Sequence, residues 1–150
     1  MFTNRGAYLT LGLLTRGTSP ATTFYVALVD ASVAPTVDTN TLSELAEIPS
    51  GNGYTAGGLA VARNGTDFDV LTEDDTANKG FAQIKDLVWT ASGGTLPGSG
   101  AGARYAVLLT DEGTVANRQV IAWWDLGSNV IVSSSQTLTL QNLQLDGVPA

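Results

Sequence analysis

The chain has no histidine and no cysteine in its 150 residues. Without Cys, neither a disulfide nor a thiolate metal site exists, and the redox compartment leaves no trace. Without His, a Ser-His-Asp triad is excluded. Basic residues are also scarce. Arg5, Arg16, Arg63, Lys79, Lys85, Arg104 and Arg118 are scattered and face 14 acids, for a net charge of −7. Binding to a phosphate backbone needs a basic stripe, so nucleic acid is not an expected partner. Charged residues make up 14% of the chain, well under the roughly 25% of ordinary soluble domains. No apolar run approaches the ~20 residues that span a bilayer, so no membrane partner is expected. The first 17 residues make a poor signal peptide: the apolar segment is short and no small-residue cleavage site follows closely. Synthesis in the cytoplasm is the expectation.

What fills the gap is Gly, Ser, Thr and Asn between apolar runs. Hydrophobic residues reach 43%, so a folded core is expected rather than disorder. The length suits one domain, 1–150, with 1–17 as an N-terminal contact arm or helix. In that arm Asn4 is placed to cap a helix, and Tyr8, Leu11 and Leu14 recur at helical spacing. Gly17 is placed to stop it. A strand over 8–14 competes, because Tyr-Leu-Thr-Leu also suits a sheet. Residues 23–29 are rich in β-formers and bounded by turn residues, which predicts a buried strand. Thr41 and Glu44 match a capping box and predict a short helix over 41–47, ended before Pro49.

The remainder reads as β, with strands over 59–63, 68–71, 81–90, 104–110, 119–125, 130–133 and 136–145. In the last, Leu138 and Leu140 share one face and Leu143 and Leu145 the other, which predicts a bulge near Asn142. The run Val120-Ile121-Ala122-Trp123-Trp124 is apolar on both faces, so its second face needs cover from sheet packing or a partner subunit. Residues 93–102, GGTLPGSGAG, predict a long water-exposed hairpin loop. Seven to nine short strands between glycine turns give the expected fold: mainly β, an antiparallel β-sandwich or jelly roll with the two short helices.

Chemistry-bearing patterns are weak throughout. Asp67, Asp69, Glu73, Asp74 and Asp75 form the densest acidic cluster, without the spacing of a calcium loop. A solvated acidic turn is the expected reading, with no metal and no cofactor. Paired carboxylates for glycoside hydrolysis have no spacing that singles out two of them. The glycine run at 51–58 lacks the Lys-Ser/Thr of a phosphate loop and predicts two tight turns. Asn64-Gly65-Thr66 fits the glycosylation pattern with no secretion signal beside it. An enzyme is not expected. Trp89, Trp123 and Trp124 lie within strand patterns, which favours packing over a sugar-stacking platform.

Several segments together resemble small virion proteins of tailed bacteriophages: FYVALV (24–29), GNGYT (51–55), TDFDVLTEDD (66–75), VWTASGG (88–94), GARYAVL (102–108) and QTLTL (136–140). The resemblance covers nearly the whole chain and is strongest to head decoration, or cement, proteins. It implies a structural role on the outer surface of the capsid, at capsomer junctions, with the major capsid protein and further copies of the chain, as a homotrimer, for partners. A tail fibre or receptor-binding module touching a host glycan is the alternative it leaves open. No functional residues carry over from the family. From the residues themselves, Trp123 and Trp124 are the candidate protomer interface. Phe2, Tyr8, Leu11 and Leu14 are the candidate contact with the capsid or a neighbour, because their apolar surface exceeds what a small surface helix buries.

Overall fold

A computed structural model describes residues 1–19 and 21–147. It is mainly β, with all strand pairs antiparallel. The order is helix α1 (Asn4–Arg16), then β1 (Thr23–Val29), β2 (Leu59–Ala62), β3 (Val70–Asp74), β4 (Lys79–Ile84), β5 (Leu87–Thr90), β6 (Ala103–Leu109), β7 (Val120–Val130), β8 (Thr137–Leu140) and β9 (Leu143–Gly147). Single 3₁₀ turns occupy Leu42–Glu44 and Val115–Asn117. One sheet has the order β2-β1-β6-β7. Opposite it lie a three-stranded sheet, β3-β4-β9, and the pair β5-β8. No helix among the described residues is long and apolar enough to cross a membrane.

The main core lies between these layers. Val26 and Leu28 of β1, Val61 of β2 and Leu108 of β6 meet Ile84, Leu87, Trp89, Leu138, Leu140 and Leu143 from the opposite strands. Strand alternation sends Ala27 and Val29 to the other face of the large sheet. There they join Leu42, Val107, Leu109 and Val120 in a second, smaller cluster. The two 3₁₀ turns supply its lid, through Leu42 and Val115. The large sheet is thus buried on both faces by its own chain.

Strand β7 carries a bulge. Leu108 pairs with Ala122 and Leu109 with Val120, so Ile121 is the extra residue. A bulge moves the side chains after it to the opposite face. Val120 therefore joins the small cluster, while Ile121 and Ala122 both reach the main core. Beyond the bulge, Trp123 packs on the small cluster and Trp124 on the main core, each half-buried. The Trp124 indole donates to the Gln144 carbonyl at 2.9 Å. Of the two covers expected for the doubly apolar strand, sheet packing within the chain reaches both rings.

Several sequence expectations shift. The cap of α1 is Thr3 rather than Asn4, its hydroxyl accepting from the Gly6 amide at 2.8 Å; Gly17, left-handed at φ 61°, ends the helix. The helix expected over 41–47 is one 3₁₀ turn, because the Ala46 carbonyl accepts from the Asp30 amide just past β1 and the Ile48 amide donates to Leu28 of β1 instead. The Glu44 carboxylate does reach back, to the amides of Asn40 and Thr41 at 3.1 and 3.2 Å. The strand expected over 81–90 breaks at Lys85-Asp86, where the Lys85 amide leaves the ladder for the Asp67 carbonyl. The strand expected over 136–145 breaks at Gln141-Asn142, with Asn142 left-handed at φ 56°. That turn returns Leu143 to the core that Leu138 and Leu140 already occupy. The strand over 130–133 reduces to the end of β7 and a single bridge from Val132 to Leu96. The same bridge holds Leu96 in the core, so the loop over 93–102 is anchored at its centre.

The turn at 51–54 forms as a tight hairpin, with Gly51 and Tyr54 exchanging backbone bonds. Asn52 and Gly53 both have positive φ, 50° and 96°, the pattern of an Asn-Gly hairpin turn. A side chain at Gly53 would also strike the Thr90 carbonyl. The turn aims Tyr54 into the core, where its hydroxyl accepts from the Leu28 amide and donates to Glu47 at 2.7 Å. Burial and the Glu47 carboxylate push the pKa of this phenol far above its ordinary value.

The N-terminus is the outermost strand-like element. Met1 exchanges backbone bonds with Trp123, and Phe2 bridges Ala122, covering the free edge of β7. At the bulge the Thr3 hydroxyl donates to the Val120 carbonyl at 2.5 Å, and the Thr3 amide to that of Ile121 at 2.9 Å. Thr3→Val keeps the shape and removes the hydroxyl. It should lower stability by about 1–3 kcal/mol, the cost of losing a cap and leaving a buried carbonyl unpaired. Urea unfolding measures it, and an unchanged midpoint would contradict this role for Thr3.

Candidate functional site

Helix α1 has two unlike sides. Its inner side rests on the β7 bulge through Gly6, which has no room for a side chain: a Cβ there would lie 2.1 Å from the Ile121 carbonyl oxygen. Arg5 fixes the flank, its Nε donating to Gln119 at 2.5 Å while the guanidinium lies over the Tyr8 ring. On the side away from Gly6, the spacing of three residues brings Tyr8, Leu11 and Leu14 into one stripe. All three are exposed, at 64, 58 and 81%. The structure therefore brings together three of the four residues expected in the contact. It separates the fourth: Phe2 is half-buried against β7 and the core.

Beneath the inner side is a groove of about 810 Å³. Leu9 and Leu13 of α1 form one wall, and Phe24, Phe68 and Ile121 line it further. The far wall is a row across the smaller sheet, in which Leu71, Ala82 and Leu145 are direct cross-strand partners. Phe24 and Phe68 meet edge to face, 5.8 Å between centroids. Leu71 is 84% exposed, so this end of the sandwich is open. Arg63, Asp111 and Glu112 are the charged groups on the groove.

Sequence reading missed the groove. Its residues come from seven separate elements and the loops between them, and none stands out along the chain. The one local signal is Leu71, an apolar residue in the acidic, exposed strand β3. Trp123 and Trp124 lie beyond the groove, on β7.

The acidic cluster is divided. Asp67 accepts from Lys85 Nζ at 2.5 Å and from the Ala62 amide at 2.8 Å. Those two bonds, Lys85 first, hold its carboxyl below the usual carboxylate pKa. Asp74 accepts from the Ala77 amide in the β3–β4 turn. Among the described residues no three carboxylates converge as metal ligands would. The groove is lined mainly by apolar side chains.

The chain matches no family model, no curated protein and no solved structure.

Two measurements check this geometry. Gly6→Ala raises intrinsic helix propensity yet forces α1 off β7, and should cost about 1–3 kcal/mol as overpacking does; a stabilised variant would contradict the close approach. For Asp67, a folded pKa below the unfolded one means that the pair adds stability above about pH 4, lost as pH falls through the folded value. Asp67→Asn should therefore be less stable than the parent at neutral pH, and the difference should shrink below about pH 4. Denaturant midpoints across that range decide it.

Proposed function

We propose that this protein is a bacteriophage decoration protein, which binds the outside of the head at capsomer junctions and stabilises the shell with the major capsid protein and further copies of itself as partners. The observation that carries the reading is the stripe of Tyr8, Leu11 and Leu14, an apolar ridge left exposed on helix α1. Apolar surface of this kind is a contact surface awaiting a partner. The resemblance of its segments to small phage virion proteins supplies the location. The net charge of −7 suits an outer surface that keeps particles apart by repulsion.

The receptor-binding alternative calls for aromatic rings and loop tips free to meet a glycan. Trp89 is buried, Trp123 and Trp124 pack on the chain's own clusters, and the 93–102 loop is anchored by Leu96. These placements favour the decoration reading.

The test is to add purified protein to phage heads lacking it and image the particles. Ordered density at capsomer junctions is expected, with heads that withstand heat better. Leu11→Glu with Leu14→Glu should reduce occupancy at least about tenfold, since each apolar side chain buried on binding is worth about 1.5–3 kcal/mol. Density confined to the tail, or none, would sink the proposal.

A further inference from the structure

We infer that copies of this chain associate head to tail, the Tyr8–Leu11–Leu14 ridge of one seating in the groove beside Leu71 of the next. This rests on the contact role given to the ridge above and names its partner as a second copy.

The ridge and the groove lie on opposite sides of the same helix. Gly6 is locked on the β7 bulge, and Leu9 and Leu13 already face the groove. Within one chain the ridge therefore cannot turn into the groove, and both stay uncovered. Between two chains a convex apolar stripe and a concave apolar surface fit each other. Such a contact uses two different patches, so it is heterologous and joins copies in sequence rather than as a face-to-face pair.

Charge favours the same occupant. Arg5 and Arg16 both belong to α1, and residues 1–16 contain no Asp or Glu. The rest of the chain then holds five basic residues against all 14 acids. The helix is cationic and the body anionic. Asp111 and Glu112 line the groove together with one base, Arg63, and Glu73 follows Leu71 by two residues on the same face of β3. A helix without acids is steered toward this net acidic margin.

The experiment is solution mass by light scattering on the purified full chain. The wild type should form oligomers that weaken as salt rises. Two variants each remove one half of the contact at exposed positions: Leu11→Glu with Leu14→Glu for the ridge, and Leu71→Glu for the groove. Each alone should be monomeric. Mixed in equal amounts they should form a dimer that grows no further, because one intact groove and one intact ridge remain. A wild type that stays monomeric at high concentration overturns the inference. So does a groove variant that still assembles, since the ridge would then be pairing with itself. A second measurement does not depend on those variants. With no native cysteine, Leu14→Cys and Leu71→Cys copies should cross-link to each other on mixing under oxidation. Leu14→Cys joining only to itself overturns the proposal. Binding to heads by a strictly monomeric protein would defeat this inference and leave the decoration reading standing; assembly without head binding would do the reverse.

Discussion

The hydroxyl of Thr3 sits at the β7 bulge, where a carbonyl turned away from the ladder needs a donor. It donates to Val120 and, at the same time, accepts from Gly6 to start α1. One buried side chain thus closes a sheet edge and fixes where a helix begins. From that fixed start follow the close approach of Gly6 to Ile121, the outward stripe on α1 and the groove beneath its inner side. The bulge itself decides which of Val120, Ile121 and Ala122 enters which core. An unpaired carbonyl in this position would cost about as much as the net gain of several good contacts. That asymmetry explains why the N-terminal segment is held so specifically.

The large sheet needs two covers because its central strands are apolar on both faces. The opposite strands provide one, and the 3₁₀ turns over Leu42 and Val115 provide the other. This changes the meaning of the paired tryptophans. A doubly apolar strand read alone demands a lid, and a second subunit is one such lid. Here the chain supplies cover to both rings, and the uncovered apolar surface moves to α1 and the open end of the sandwich.

The proposed contacts combine an apolar ridge, an apolar groove and a separation of charge between helix and body. In such a contact apolar burial would supply the attraction, and charge would set which surfaces meet and in what orientation. A rigid antiparallel scaffold suits this work, because it presents those surfaces without first having to order them.

Local features were legible in the sequence wherever neighbours along the chain settle the structure. Strand β1 fell at 23–29 because its β-formers are bounded by turn residues. The Asn52-Gly53 turn, the stop at Gly17 and the reach of Glu44 are all decided within a few residues. Composition likewise settled a mainly β, antiparallel fold. What distant segments decide was not legible. The breaks at Lys85-Asp86 and Gln141-Asn142 depend on Asp67 and on which sheet each half joins. Thr3 displaced Asn4 as the cap because the β7 bulge lies more than a hundred residues away. The groove gathers seven elements, and no short window contains its pattern. The ridge residues Tyr8, Leu11 and Leu14 were visible as a helical repeat, but only the seating of Gly6 on Ile121 turned that stripe outward. Sequence by itself set the local conformations, through propensity and turn chemistry. Tertiary structure alone decided which apolar surface was left uncovered, because burial depends on what packs across the core.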